Sequence, residues 1–258
     1  MSTLTAAEPQ EPWIGLRGRI GVVIPATNIA VEYDCGRIRA PGLSWHYGRF
    51  LIPDPDLSSN GSFVNFLEGI RATIPPSIEG LVSAEVSHIM MGMSAETFWG
   101  GVAGNEEFVS RIRDQIGNLG LTTGANAIVS ALGAFNARKI AVLTPYQPVG
   151  DEQVKFFFAD SGIEVVRIKG LRCGSATSIA HTPRQDVIKA IVEELDGDDI
   201  DAIVQVGTNL STSDSFPTLE LQLGKPCIPI NMATVWHALR AIGINDQWAG
   251  YGRLLGEH

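Results

Sequence analysis

Cysteine is scarce, with three in 258 residues: Cys35, Cys173 and Cys227. An odd, widely spaced set offers no pair at metal-ligand spacing. A disulfide framework does not suit so large a chain, so the cytoplasm is the default compartment. Long hydrophobic runs are missing too. No apolar stretch reaches the ~18 residues of a membrane helix, and no membrane association is expected. Positive charge is outnumbered, with Lys+Arg 19 against Asp+Glu 28 and a net charge of −9. Without a basic cluster, nucleic acid is not an expected partner. The phosphate-cradling patterns GxGxxG and GxxxxGK[ST] are absent, as are a GxSxG elbow and a legible Ser-His-Asp set. No His/Cys/Asp cluster has metal spacing, so no metal is expected. Residues 1–18 carry Glu8, Glu11 and two prolines but no apolar core of a signal peptide. They read as a flexible leader.

What the chain does have is apolar content, 45% of its residues, enough to offset chain entropy and exclude disorder. Short apolar runs end in glycine, proline or a polar residue at 19–24, 87–91, 139–144, 164–168, 201–206 and 227–230. Such runs suit parallel strands buried on both faces. Between them, residues 63–72, 106–119, 125–135, 152–161, 185–195 and 234–242 repeat apolar positions at helical spacing. Alternation of the two predicts an α/β fold with right-handed crossovers.

The plan is written twice. IGVVIP (20–25) precedes SHIMMG (87–92), and IAVLTP (140–145) precedes DAIVQVG (201–207) at nearly equal separation. This predicts two pseudo-symmetric lobes, each a parallel sheet flanked by helices. The expected boundaries are 19–120 plus 232–258 for the first lobe and 121–231 for the second. Open parallel sheets bind ligands at the carboxyl ends of their strands. Four strand-end loops therefore predict one pocket between the lobes.

The loops carry the candidate chemistry. PATNIAVE offers Pro25, Thr27 and Asn28, which could equally be a helix cap. GMSAETFWGG offers Gly92 for close backbone approach, Met93, the hydroxyl of Ser94 and the carboxylate of Glu96. Glu96 could instead be a solvated first-turn acid favoured by the helix dipole. TPYQPVGDE places Tyr146 directly after a strand, where the phenol enters the cleft or packs beneath the loop. GTNLSTSDSF combines Gly207, Thr208 and Asn209 with further hydroxyls, a pattern that makes a nest for a carboxylate. Among the histidines, His88 sits in a strand pattern and reads as core. His237 lies on a helix that could face cleft or core, and His46 and His181 have no legible partner.

At these loops the chain resembles the aspartate/glutamate racemase superfamily, in the branch of arylmalonate decarboxylase and maleate cis–trans isomerase. The resemblance rests on IGVVIP, MGMSAETFWGG, the TPY turn, GTNLSTSDSFPTLELQLGKPCIPIN with TVWHALRAIGI, and the ending GYGRLL. It implies cofactor-free proton transfer, decarboxylation or isomerisation next to a carboxylate, through a carbanion or enediolate held by backbone and hydroxyl donors. By motif position that pocket maps onto Ser94, Tyr146, Pro25 and the N–H groups around Gly207 and Thr208, with Asn28 similar to a substrate-contacting asparagine.

One departure bears on mechanism. The resemblance implies a cysteine after the third strand of each half in racemases and isomerases, and only the second in the decarboxylase. Here those positions read Gly92 and Gly207, and Met93 stands where the decarboxylase has a threonine donor. Glycine supplies neither base nor nucleophile, so thiol-dependent racemisation is not expected. The expectation is a cofactor-independent lyase or isomerase acting on a small (di)carboxylate. Tyr146, Ser94, Glu96 and His237 are its catalytic candidates. Alternatives are a ring-opening hydrolase using a water held by Thr208, Asn209 and Glu96, or a carboxylate-binding protein without turnover. Phe98, Trp99 and Trp248 could cover a lobe contact or a subunit contact in a homo-oligomer.

Overall fold

The computed structural model describes residues 13–52 and 57–258. Most of the expected leader lies outside the described residues. The first half contains β1 (Gly18–Pro25), α1 (Ala30–Arg37), β2 (Leu43–Phe50), α2 (Asn60–Ile70), α3 (Pro75–Ser83), β3 (His88–Met91), α4 (Ala95–Phe98), α5 (Gly101–Ile116) and β4 (Gly120–Thr122). The second contains α6 (Gly124–Ala134), β5 (Lys139–Thr144), α7 (Pro148–Asp160), β6 (Glu164–Gly170), α8 (Ala176–Ala180), α9 (Arg184–Lys189), β7 (Ala202–Gln205), α10 (Phe216–Leu223) and β8 (Cys227–Pro229). Helix α9 runs on into a π-helical stretch, Ala190–Leu195. Helices α11 (Ile230–Ala241) and α12 (Arg253–Glu257) close the chain.

The strands form two four-stranded parallel sheets, ordered β2-β1-β3-β4 and β6-β5-β7-β8. The order is the same in both, as duplication of one α/β unit requires. The central strands are sealed on both faces: Ile20, Val22, Val23 and Ile24 of β1 and Ile140, Val142 and Leu143 of β5 are fully buried. That explains their continuous apolar runs. Each such side chain stabilises the fold by roughly 1.5–3 kcal/mol.

Two strands escaped the sequence reading. The segment LSWHYGRF of β2 lies at a sheet edge with most of its side chains half-buried, so it shows no apolar run. Strand β4 is three residues long. The helices anticipated from periodicity are present, several starting earlier than expected because caps precede the apolar stripe. Ser59 and Ser62 form a capping box ahead of α2, and Thr123 caps α6.

Helix α11 leaves the second sheet but packs on the first. Met232, Val235, Ala238 and Leu239 join Ile20, Val22 and Ile24 in one apolar cluster. The chain thus crosses between the sheets near its end. Beyond β1, β3, β5 and β7 the backbone turns at Pro25, Gly92, Pro145 and Gly207, and all four turns contribute to one cavity, the one at Gly92 through Met93 and Ser94.

Candidate active site

The cavity is about 70 Å³. By the single-probe measure of roughly 10–15 Å³ for one water, it suits a small molecule. Its polar lining comes from Thr27, Asn28, Ser94, Tyr146, Thr208 and Asn209, with the turns at Pro25 and Gly207 beside them. The rest is apolar, with Ile52, Leu57, Phe63, Phe66, Leu67 and Ile70, to which Met93 and Ile179 add. Among the described residues, no charged side chain lines it.

Ser94 precedes α4 and Tyr146 follows β5. Their hydroxyl oxygens lie 2.7 Å apart. The backbone N–H of Thr208 donates to Ser94 Oγ at 3.1 Å. One hydroxyl proton is spent between Ser94 and Tyr146, which leaves one for a ligand. Tyr146 is buried, and burial pushes its phenol well above the ordinary range, so it stays protonated and acts as a donor. Its ring packs against Phe63, centroids 5.5 Å apart.

Asn28 caps α1 by accepting from Val31 N–H at 3.0 Å and donates to Thr208 Oγ1 at 3.1 Å. With that oxygen accepting, the Thr208 hydroxyl proton and the second Asn28 amide proton remain free to donate. Four carbonyls beside these donors already accept a hydrogen bond. Pro25 accepts from Asn28 N–H, Thr27 from Asn209, Gly207 from Gln205, and Thr208 from Asn231. The free hydrogen-bonding capacity of this pocket is therefore mostly donor, matched to an anionic oxygen.

Asn209 lines the cavity, yet its amide is occupied in tying three segments. It accepts from Ile29 N–H at 3.0 Å and donates to Ala176 O at 2.9 Å and Thr27 O at 3.3 Å. Behind the same loop, Asp34 of α1 accepts from Ser213 at 2.5 Å and Asn231 at 2.7 Å. Asn231 also donates to Thr208 O at 2.9 Å. No isolated motif announced Asp34 or Asn231. Only the fold brings them together.

Three expected residues lie elsewhere. Glu96 does not line the cavity. It is buried with Oε1 accepting from Arg71 Nε at 2.6 Å and Arg111 Nη2 at 3.4 Å, fastening the end of α2 to α4. The solvated first-turn alternative fails as well, since the residue is 2% exposed. His237 is also off the cavity. Its Nδ1 lies 2.9 Å from Thr122 Oγ1, which is 2.8 Å from Nε2 of buried His88. Gly92 sits behind the lining, with its N–H donating to Val23 O at 2.7 Å. The apolar wall from α2 went unread because Phe63, Phe66, Leu67 and Ile70 follow ordinary helix periodicity.

None of the three cysteines lines the cavity. Cys35 and Cys227 are buried, and burial pushes both thiols far up. Cys173 is half-buried, 3.6 Å from Thr182 Oγ1. Among the described residues, no group of three His, Cys, Asp or Glu is arranged to hold a metal, and no helix is long and apolar enough to cross a membrane.

The arylmalonate decarboxylase family model matches residues 79–255. The chain belongs to the arylmalonate decarboxylase family. Relatives of this family member lie in two activities. A maleate isomerase of Nocardia farcinica is 24% identical over 249 residues, covering 94% of this chain and 96% of the relative. An arylmalonate decarboxylase of Bordetella bronchiseptica is 25% identical over 232 residues, covering 84% and 93%. A solved Nocardia farcinica maleate cis-trans isomerase variant, with a covalently bound succinylcysteine intermediate, superposes with a TM-score of 0.84. The match covers 93% of this chain and 99% of that one at 23% identity. The arylmalonate decarboxylase fold thus extends over nearly the whole described chain.

Proposed function

We propose that the chain is an enzyme of decarboxylase or isomerase type. It would act on a small carboxylic acid through an enediolate-like state, with neither cofactor nor cavity thiol. Relatives that are maleate isomerases and an arylmalonate decarboxylase support the reaction class. The observation that carries the reading is the group of donors at the cavity: the Ser94–Tyr146 pair, Thr208 and Asn28, with neighbouring carbonyls already engaged. As charge moves onto a carboxylate oxygen, fixed donors stabilise it more than they stabilise the ground state.

In a decarboxylation, the bond to the departing carboxylate breaks and its electron pair passes into the enediolate. Carbon dioxide leaves, and the carbanion carbon takes a proton from the Ser94–Tyr146 pair. Water then returns that proton to the pair. A phenol pushed up by burial is a poor base toward substrate but a competent donor to a carbanion. The hydrolase alternative is not favoured, because its candidate base Glu96 is held by Arg71 away from the cavity.

The test uses arylmalonates, maleate and related diacids, following carbon dioxide release and uptake of solvent deuterium at carbon. Turnover is expected with at least one acid. Ser94→Ala and Tyr146→Phe should each slow it about 10²–10³-fold, as removal of one oxyanion donor does. No release and no exchange across the panel, or undiminished rates in both variants, refutes the reading.

A further inference from the structure

Tyr146 is held by a closed ring of hydrogen bonds that its motif does not reveal. Its backbone N–H donates to Thr144 Oγ1 at 3.2 Å. The Thr144 hydroxyl donates to Asp151 Oδ1 at 2.5 Å. Arg172 Nη1 donates to Asp151 Oδ2 at 2.5 Å and also to the carbonyl oxygen of Tyr146. Both polar groups of the Tyr146 backbone are thereby gripped by one Thr–Asp–Arg set.

Three details mark this as a built device. Arg172 has φ +57°, in the left-handed region that non-glycine residues rarely adopt. Its neighbours are strapped to the Tyr146 turn, with Leu171 N–H donating to Thr144 O at 2.8 Å and Cys173 N–H to Pro145 O at 3.0 Å. The guanidinium also lies over Gly170: a β-carbon there would stand 2.0 Å from Arg172 Nη1 and 2.6 Å from Asp151 Oδ2. A strained residue, a vacant side-chain position and a buried carboxylate converge on one peptide unit. None of these groups lines the cavity.

We propose that Arg172, acting through Asp151 and Thr144, is a positioning residue that fixes the Tyr146 hydroxyl against Ser94. This rests on the reading that Tyr146 acts at the cavity. The loss expected on removing the grip is one of alignment, and displacement of a reacting group by about 1 Å can slow a reaction about 10²-fold.

The experiment uses the full chain labelled with 3-fluorotyrosine. Its four tyrosines, Tyr33, Tyr47, Tyr146 and Tyr251, give four fluorine resonances. Tyr146→Phe assigns the one that matters. Arg172→Met removes the grip. Gly170→Ala is the second variant: its methyl displaces the Arg172 guanidinium and crowds Asp151 Oδ2, loosening the same grip while leaving both charges in the chain. In both, only the Tyr146 resonance should shift or broaden, and Arg172→Lys should restore it in part. A Tyr146 resonance unmoved in both variants overturns the proposal, as does a general shift of all four with loss of thermal stability. In rate measurements, Tyr146→Phe/Arg172→Met should be no slower than Tyr146→Phe, whereas multiplying losses overturn it. If the wild-type chain turns over no acid while the resonance still moves, the proposed function fails and the positioning role stands.

Discussion

Placing a cysteine at either position where the family resemblance puts a thiol should damage the fold before it adds chemistry. An ideal β-carbon on Gly207 lies 2.4 Å from Pro145 Cδ and 2.6 Å from Cγ, and Gly207 has φ +120°, a region nearly closed to side chains. The backbone strain is about 1–3 kcal/mol. Overpacking against a rigid proline ring adds about 1–3 kcal/mol more. Gly207→Cys should therefore lose about 2–6 kcal/mol. At Gly92 the β-carbon meets Ile24 Cγ2 at 2.4 Å and Val31 Cγ1 at 3.1 Å, without positive φ. Gly92→Cys should lose only the packing component, about 1–3 kcal/mol. Urea unfolding, followed by fluorescence, reads both. Gly207→Ala and Gly92→Ala are the decisive controls, because the clash belongs to the β-carbon and not to sulfur. Each alanine variant should lose nearly as much as its cysteine counterpart. A Gly207→Cys variant as stable as wild type, with a thiol that reacts readily and drives racemisation, would refute the reasoning.

Two further outcomes follow from buried polar groups. Burial lowers the His88 pKa from 6.5 to about 4. Between those values the unfolded chain binds the extra proton, so the contribution is complete above pH 6.5 and is lost as pH falls toward 4. About 2 kcal/mol should disappear between pH 6.5 and 5, read as a falling urea midpoint. His88→Gln should flatten that slope, and an unchanged slope sinks the assignment. Asn209→Ala deletes three bonds joining the loops after β1 and β7 to α8, and should lower stability by about 2–4 kcal/mol. A loss under about 0.5 kcal/mol in urea unfolding would mean the staple is idle.

The fold was legible because parallel strands buried on both faces are apolar over most of their length, and the four central strands are. The edge strand β2 was not, since its half-buried LSWHYGRF carries no period. At the site, Ser94, Tyr146, Thr208 and Asn28 were readable because each directly follows a strand or opens a helix. Glu96 and His237 were not settled by the sequence for one reason. Glu96 sits within a pocket loop and His237 on a helix that could face cleft or core, and in both cases the partner that decides comes from a distant segment. Arg71 draws Glu96 toward α2, and Thr122 draws His237 toward β4. Arg172 was invisible for the same cause, its reach to Tyr146 being set by a turn that only the folded backbone defines.

The seam between the two sheets has a mechanical consequence. Apolar surfaces slide past one another with little penalty, but bonds between Asn28 and Thr208, Ile29 and Asn209, and Asp34 and Ser213 are directional and short. These bonds therefore tie the loops of the two halves to each other on either side of the cavity. The apolar wall from α2, with Phe63, Phe66 and Leu67, takes no part in those bonds, so substitutions there should change the shape of the cavity without loosening the tie between the halves.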